Sequence, residues 1–355
     1  MRPDPEFWRG KRVLLTGHTG FKGAWLATWL GQMGAEVCGF ALAPATTPSL
    51  FELLRLNDRV DSRIGDLRDP KSIDDVVASF RPEIVLHLAA QALVHESYVR
   101  PAETFATNTM GLIHLFEAVR RQTGVRVVVN VTSDKCYENR EWEWAYRETE
   151  AMGGSDPYSA SKGCAELITA SWRRSFFSKT GQSLASARAG NVIGGGDWSP
   201  DRLVPDCLRA FGAGEPVLIR SPRATRPWQH VLEPVSGYLM LAERLWADGS
   251  EFADGWNFGP SDDDAIPVAD VVGRLATLWG HNARWEIDAH AHNKEAMLLK
   301  VDASKARLHL KWRPKLSVNA ALEWTVDWQK RLAAGEAALA ITTDQISKFY
   351  ALGKF

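Results

Sequence analysis

The feature that most constrains this fold is an alternation of short apolar runs with amphipathic helical runs over the first 190 residues. The apolar runs predict strands and the runs between them predict helices. Strands that are apolar on both sides need cover on both faces, so this order predicts a doubly wound parallel sheet of the α/β class. We expect strands at 12–16, 36–41, 83–88, 126–131 and 183–188, and helices at 21–33, 70–80, 101–122 and 157–179.

The pattern changes after residue 190. Gly- and Pro-rich loops, a short apolar run at 216–220 and three helical patterns near 231–247, 267–279 and 317–333 take its place. We therefore expect residues 1–190 to form the doubly wound domain. Residues 191–355 should form a smaller C-terminal lobe that caps the strand ends and is interleaved with the last strands of the sheet.

Charge and cysteine usage exclude several classes of partner. A formal net charge of −1 over 355 residues gives no general attraction to nucleic acid or to an anionic membrane. The four cysteines lack C-x-x-C spacing, and the N-terminal residues lack the apolar run of a signal peptide. These observations predict a cytoplasmic protein with reduced thiols, no metal site, no nucleic-acid partner and no membrane anchor.

A glycine-rich turn directly follows the first predicted strand. Gly17 and Gly20 allow a tight turn close to a pyrophosphate, Gly23 allows close packing, and phosphate would lie at the positive end of the next helix. The alternative is a structural turn. An acid that would bind the adenosine ribose is missing at residues 39–41, so the choice between NAD and NADP is not readable there. The candidate cofactor residues of this turn are Gly17, Thr19, Gly20, Phe21, Lys22 and Gly23.

Two further segments are candidates for the cofactor. Asp66, followed by Leu67, comes after a third strand, without assigned bounds, that precedes the helix at 70–80. It could accept a hydrogen bond from an adenine amino group, or could cap a turn. Ala89, Ala90 and Gln91 end the fourth strand, where small residues let the backbone approach the middle of a dinucleotide. Plain packing is the alternative for these small residues.

A Tyr-Lys pair is the first candidate for catalysis. Tyr158 and Lys162 are four residues apart in a predicted helix, so their side chains lie on one face. The lysine ammonium would favour the phenolate of Tyr158, whose ordinary pKa of about 10 makes it a poor base at neutral pH. An exposed helix pair is the alternative. The position of the pair after a dinucleotide-binding turn favours a Rossmann-type oxidoreductase site.

The segment Thr132-Ser133-Asp134-Lys135 is the second candidate. It follows the strand at 126–131, whose carboxyl end faces the ligand crevice of such a sheet. It adds two hydroxyl groups and a second acid/base pair to those of Tyr158, which indicates oxidation coupled to a further step such as loss of water. A solvated turn is the alternative for Asp134 and Lys135.

These motifs resemble those of the extended short-chain dehydrogenase/reductases that act on nucleotide sugars. Within that family, four segments are similar to the CDP-glucose 4,6-dehydratases, and the resemblance covers essentially the whole chain. It implies NAD as cofactor, CDP-D-glucose as substrate and a homodimer or homotetramer. It also implies redox-neutral dehydration to CDP-4-keto-6-deoxy-D-glucose, a step of deoxysugar and lipopolysaccharide biosynthesis. The segments are 17–23, 132–139, 153–158 and 226–231.

The resemblance also implies roles for single residues. Tyr158 takes the proton of the sugar 4-hydroxyl, with Ser133 and Thr132 hydrogen-bonding that oxygen. The related dTDP-glucose dehydratases carry Thr-Asp-Glu where this chain has Ser133-Asp134-Lys135, so Lys135 replaces a carboxylate as the base at C5. Asp134 protonates the departing 6-hydroxyl. Both groups need shifted pKa values, which burial would favour and their mutual attraction would oppose.

The lobe should hold the nucleotide end of the substrate. Asn191 follows a strand end, and Arg220 and Arg226 lie in a basic loop suited to a diphosphate. A turn asparagine and solvated surface arginines are the alternatives. His87 and His230 lack partners at metal-ligand spacing, so we interpret them as structural.

Three other functions remain open. A nucleotide-sugar 4-epimerase would share the Tyr-Lys pair and the cofactor but would not need Asp134 and Lys135. An inverting dehydratase of an N-acetylated UDP sugar can also use an Asp-Lys pair. A non-catalytic module that senses NAD would keep the glycine turn but would have no use for Tyr158 and Lys162.

Overall fold

The computed structural model describes residues 1–280, 283–288 and 296–353. Its strands are β1 (Arg12–Thr16), β2 (Glu36–Ala41), β3 (Asp61–Ile64), β4 (Ile84–His87), β5 (Val127–Val131), β6 (Ser183–Ala189), β7 (Asn191–Ile193), β8 (Pro216–Ile219), β9 (Thr225–His230), β10 (Gly255–Phe258), β11 (Ala265–Pro267) and β12 (Arg284–Ile287). Seven of them form one sheet in the order β10-β6-β5-β4-β1-β2-β3, and every neighbouring pair in it is parallel. The predicted doubly wound fold is confirmed.

Helices cover both faces of this sheet. They are α1 (Pro5–Trp8), α2 (Phe21–Gln32), α3 (Leu50–Leu53), α4 (Pro70–Phe80), α5 (Val94–Val99), α6 (Pro101–Phe105), α7 (Gly111–Arg120), α8 (Pro157–Trp172), α9 (Ser178–Thr180), α10 (Leu203–Ala213), α11 (Leu232–Asp248), α12 (Val268–Trp279), α13 (Val318–Ala333) and α14 (Ala338–Ala351). Side chains of α2 and α11 pack on one face of the sheet, and those of α4, α7 and α8 pack on the other. None of the helices in the described part of the chain combines the length and apolar character that a membrane span needs.

The predicted elements are found with small shifts at their ends. The predicted helix at 101–122 is α6 and α7 joined by a π-helical turn at Ala106–Met110, and the one at 157–179 is α8 and α9 joined by a second such turn at Arg173–Phe177. Strand β10 and helices α10 and α14 were not predicted. Strand β3 lies at the sheet edge, where its half-exposed residues Asp-Ser-Arg-Ile carry no apolar signal.

The second half of the chain adds two small sheets, β11-β9-β7 and β12-β8, which pack with α10, α12 and α13 around a core of their own. The chain returns from them to the large sheet through α11 and β10, and α14 packs against α2. A division of the chain at residue 190 stays a prediction. The lobe lies next to the carboxyl ends of the central strands, and the predicted site residues lie at the same ends.

Helix α8 begins at a residue set by its cap. Asp156 accepts a hydrogen bond from the Ser159 amide at 2.9 Å, and Pro157 occupies the first helical position, where its missing N–H costs nothing. This start places Tyr158 in the first turn and Lys162 one turn later, so both point to the same side.

Candidate active site

One cavity of about 1110 Å³ lies at the carboxyl edge of the sheet, between the large sheet and the lobe. Every residue that the sequence predicted for the cofactor, for catalysis and for the substrate lines it. These residues are Gly17, Thr19, Gly20, Phe21, Lys22, Gly23, Asp66, Leu67, Ala89, Ala90, Gln91, Thr132, Ser133, Asp134, Lys135, Tyr158, Lys162, Asn191, Arg220 and Arg226.

The glycine turn has the geometry that a pyrophosphate needs. Gly17 adopts a φ of 79°, which favours glycine, and a Cβ on Gly23 would lie 2.0 Å from the Gly17 carbonyl oxygen. Helix α2 begins after Gly20 without a side-chain cap, so its first amides are open to an anion in the cavity.

The adenine end of the cavity contains Asp66 and Leu67. The Asp66 carboxylate is paired with Arg68 at 2.6 Å, and its other oxygen accepts the Arg68 amide at 2.8 Å. Asp66 is therefore a turn residue as well as part of the cavity wall, and a contact with adenine stays a prediction. Leu67 is buried, and its carbonyl oxygen lies 2.8 Å from a ring nitrogen of His114.

The segment after β4 is fixed by a residue that sequence reasoning missed. Asn108, in the first π-helical turn, accepts the Gln91 amide at 2.8 Å and donates to the Gln91 carbonyl and to the Ser161 hydroxyl. The Gln91 side chain bonds to Leu93 and Thr104. A π-helical turn within a helix is often found at a functional site. The structure shows that Asn108 lies in such a turn, and no sequence pattern had indicated it.

The segment 133–136 forms a tight turn after β5. The Ser133 hydroxyl donates to Asp134 Oδ1 at 3.1 Å and accepts the Lys135 amide at 3.2 Å, so it caps a short 3₁₀ turn. Asp134 is buried, and its Oδ2 has no hydrogen-bond partner among the described residues. Burial raises the pKa of Asp134, and the charge of Lys135 acts to lower it. Lys135 is half-buried in the cavity wall.

Tyr158 and Lys162 are both buried, with the Lys162 Nζ 5.9 Å from the centre of the Tyr158 ring. Burial raises the pKa of Tyr158 to about 12, while a hydrogen bond with Ser133 and the charge of Arg202 act to lower it. Burial lowers the pKa of Lys162 to about 8. Without a further positive charge in the cavity, Tyr158 is a neutral phenol at neutral pH.

Thr132 lines the cavity, and its hydroxyl has a partner inside the protein. Its Oγ1 donates to Glu166 Oε1 at 2.5 Å, and a contact with the sugar stays a prediction. The hydroxyl protons of Thr132 and Ser133 are thus both used by buried carboxyl groups, since Ser133 donates to Asp134 Oδ1 at 3.1 Å.

The lobe contributes polar groups to the same cavity. Asn191 begins β7, and Arg220 is exposed beside Asp201. Arg226 is buried, and its guanidinium donates to the Thr225 carbonyl at 3.0 Å, so the interpretation of Arg226 as a solvated surface residue is wrong. Its positive charge acts to lower the pKa of Asp134, against the larger effect of burial, which raises it.

Two further cations belong to the site. The Lys22 side chain lies close enough to Asp134, Lys162 and Arg202 to feel their charges. Burial first, and then the charges of Arg202 and Lys162, lower the pKa of Lys22 to about 7. Arg202, missed at the sequence level, lines the cavity and pairs with Asp197 at 3.7 Å.

The two histidines are placed inside the fold. Thr16 Oγ1 and His87 Nδ1 are 2.6 Å apart, and the Leu232 amide donates to His230 Nδ1. Within the described ranges, His, Cys, Asp and Glu side chains form no group of three that could hold a metal ion.

Residues 14–325 match the family model described as GDP-mannose 4,6 dehydratase. Over 351 residues the chain is 53% identical to the CDP-glucose 4,6-dehydratase of Salmonella typhimurium, and the match covers 98% of each chain. The chain belongs to the nucleotide-sugar 4,6-dehydratase family. Members of this family are hydro-lyases, so this protein is an enzyme of that class.

Solved structures agree with the fold of this dehydratase. A UDP-glucose 4-epimerase of Thermus thermophilus in complex with NAD has a TM-score of 0.76 and 25% identity, covering 89% of this chain and 98% of that one. A dTDP-glucose 4,6-dehydratase of Streptomyces venezuelae with NAD bound has a TM-score of 0.75 and 21% identity, covering 92% and 99%.

NAD is the cofactor of this family, and the cavity of this dehydratase fits it. The glycine turn packs directly against the segment after β4, because a Cβ at Gly17 would lie only 2.7 Å from the Ala89 amide nitrogen. The uncapped start of α2 suits the pyrophosphate, and Tyr158 and Lys162 lie in the same cavity, where the nicotinamide is needed.

We expect the dehydratase to prefer NAD over NADP by a modest factor. Ala41, Leu42 and Ala43 line the cavity after β2, with neither a carboxylate for a ribose hydroxyl nor a cation for a 2′-phosphate. Discrimination should therefore stay below the roughly 10- to 100-fold that one hydrogen bond to a charged group supplies. Initial rates with each dinucleotide at matched concentrations measure this ratio, and equal or faster turnover with NADP would show that the preference is wrong.

Proposed function

We propose that this enzyme dehydrates CDP-D-glucose to CDP-4-keto-6-deoxy-D-glucose. The state of the Asp134 carboxyl group indicates the reaction type. The group is buried, its pKa is raised, and one of its oxygens has no hydrogen-bond partner in the described chain, beside the Tyr158-Lys162 pair. A carboxyl group in this state can be a proton donor at neutral pH. A 4-epimerase has no step that uses one.

The first step uses Tyr158 as the base. When bound, NAD would supply the two-electron acceptor for the hydride of sugar C4 and the donor of that hydride to C6. Tyr158 accepts the proton of the 4-hydroxyl, and Ser133 hydrogen-bonds the same oxygen. Burial disfavours the phenolate. The positive charges of the nicotinamide and of Lys162, whose Nζ lies 5.9 Å from the centre of the Tyr158 ring, would favour it. The new ketone at C4 makes the C5 proton acidic.

The second step uses the turn after β5. Lys135 removes the C5 proton, and Asp134 gives its proton to the 6-hydroxyl, which leaves as water. Lys135 then returns a proton to C5. The proton that Tyr158 took from the 4-hydroxyl replaces the one that Asp134 lost, so the sugar loses one water with no net oxidation. Burial supplies the shift that Asp134 needs to act as an acid.

The arginines of the lobe support a nucleoside diphosphate. Arg202, Arg220 and Arg226 line the cavity together with Asn191. Guanidinium groups hold phosphate oxygens in pairs, which suits a diphosphate between a sugar and a nucleoside. We infer the nucleobase of the substrate from the CDP-glucose 4,6-dehydratase of Salmonella typhimurium, which is 53% identical over 98% of this chain.

We also propose that the enzyme works as a homodimer or homotetramer. Three large apolar side chains are exposed on neighbouring elements: Val99 on α5, Met110 in the first π-helical turn and Leu167 on α8. Helix α8 contacts both other elements. An apolar face of this kind often marks an interface.

With CDP-glucose as substrate we expect a product lighter by one water and no accumulation of NADH, because the hydride returns to the same sugar. Mass spectrometry measures the product and near-ultraviolet absorbance measures NADH. UDP-glucose and dTDP-glucose at the same concentration are the matched controls for the choice of nucleobase. NADH that rises in step with product would contradict a redox-neutral dehydration.

Tyr158→Phe should lower the rate of C4 oxidation by about 10²- to 10⁴-fold, because the base that starts the reaction is lost. Tyr238→Phe is the matched control, since the Tyr238 hydroxyl is buried without a hydrogen-bond partner in the described chain and lies outside the cavity wall. Its turnover should stay near that of the wild type. A Tyr158→Phe enzyme that keeps more than about a tenth of the rate would exclude Tyr158 as the base.

Lys135→Met and Asp134→Asn should separate the two halves of the elimination. Lys135→Met should allow C4 oxidation but prevent uptake of solvent deuterium at C5, because the C5 base is lost. Asp134→Asn should allow C5 exchange but slow loss of the 6-hydroxyl, because enolisation needs the base and not the acid. Mass and NMR analysis of the sugar in D₂O measure both outcomes. Normal turnover by both variants would show that neither residue takes part in the elimination.

A further inference from the structure

A buried carboxylate lies close to the turn of residues 133–136, the catalytic turn, and has no role in the proposed mechanism. Glu166 is on α8, four residues after Lys162 and eight after Tyr158, so the three side chains share one face of the helix. Glu166 is 4% exposed and is not among the residues that line the cavity. It therefore does not touch the substrate.

The carboxylate of Glu166 joins helix α8 to two strands. Its Oε1 accepts the Thr132 hydroxyl at 2.5 Å, at the end of β5. Its Oε2 accepts the Ser186 hydroxyl and an Nη2–H of Arg188, both on β6 and both at 2.7 Å. The hydrogen bond with Thr132 is the one that reaches the catalytic turn, because Thr132 directly precedes Ser133.

Arg188 extends these contacts to the segment that follows Lys135. Its Nη1 donates to the Tyr137 hydroxyl at 2.7 Å and to the Glu148 carbonyl at 3.2 Å. The Tyr137 hydroxyl donates in turn to Asn257 Oδ1 on β10 at 2.7 Å. The catalytic turn is thus held on both sides, through Thr132 before it and Tyr137 after it.

The ion pair also fixes the charge of Glu166. Burial alone would raise the pKa of Glu166, but the charge of Arg188 and the hydrogen bonds from Arg188, Ser186 and Thr132 outweigh it, and the pKa is lowered. The carboxylate stays ionised and accepts hydrogen bonds only. Such a group cannot exchange protons with the substrate, but it holds three donors in fixed directions.

We propose that Glu166 is a positioning residue. Through Thr132, it holds the catalytic turn at a fixed place relative to Tyr158 and Lys162. The acid of the elimination and the base of the oxidation lie on different elements. They can act on one sugar only if those elements keep their spacing. This proposal rests on the proposed function, in which Ser133 and Asp134 act on the same sugar as Tyr158.

Two single substitutions test it as a matched pair. Thr132→Val and Ser186→Ala each remove one hydroxyl hydrogen bond to the same buried carboxylate, but only Thr132→Val releases the catalytic turn. We expect Thr132→Val to lower kcat by about 10- to 100-fold with little change in KM, the size of effect that a small misplacement of reacting groups produces. Ser186→Ala should keep kcat within about twofold, and Thr132→Ser should restore most of the loss.

The pH profile adds a readout that a merely structural role would not change. The hydrogen bond with Ser133 lowers the pKa of Tyr158, so a displaced turn raises that pKa. Because Tyr158 acts as a base, activity rises with pH through its pKa. The acid limb of the kcat/KM profile should therefore move to higher pH in Thr132→Val and not in Ser186→Ala.

Equal losses in Thr132→Val and Ser186→Ala, or an unshifted acid limb in Thr132→Val, would overturn the positioning role. If Thr132→Val does not fold, Glu166→Gln replaces it and should show the same kcat loss and the same shift of the limb; an unchanged kcat would overturn the proposal. Wild-type turnover of CDP-glucose is measured first. Its absence would contradict the proposed substrate, whereas a difference between the variants concerns Glu166 alone.

Discussion

A parallel sheet covered on both faces leaves the carboxyl edge of its strands as the place for chemistry. Strands β1, β4, β5 and β6 all end at that edge, so segments from residues 17, 89, 133 and 190 meet there although they are far apart in the chain. Every group that the proposed reaction uses comes from such an end, from the start of α2 or α8, or from the lobe above it. The position of the active site follows from the handedness and order of the sheet.

Burial at this edge has opposite consequences for the two halves of the proposed reaction. It raises the pKa of Asp134, which makes the carboxyl a proton donor, and it raises the pKa of Tyr158 to about 12, which makes the phenol a poor base. The acid is therefore prepared by the protein alone. The base needs positive charge, from Lys162 and from the nicotinamide. Oxidation is thus coupled to cofactor binding, while the elimination group is ready beforehand.

The sequence predicted the parts of this site that follow from short motifs. The glycine turn, the Tyr158-Lys162 pair and the segment 132–135 were all identified, and all line one cavity. Asn108 and Glu166 were missed because their importance depends on contacts between segments far apart in sequence, and Arg202 because only the folded chain brings it to the cavity wall. The burial of Arg226 was also not readable, since a loop rich in Arg and Pro looks solvated before the lobe folds over it. The bounds of strand β3 could not be predicted, because its residues are mostly polar and a sheet edge tolerates polar residues.

In the proposed reaction, one site oxidises C4 and reduces C6 of the same sugar molecule. The direct test is a crossover experiment with CDP-glucose that carries deuterium at C4, mixed with CDP-glucose that carries carbon-13 in the ring and no deuterium. We expect the deuterium at C6 of the product, in molecules without carbon-13. Deuterium that is lost to solvent, or that appears in the carbon-13 product, would contradict the account.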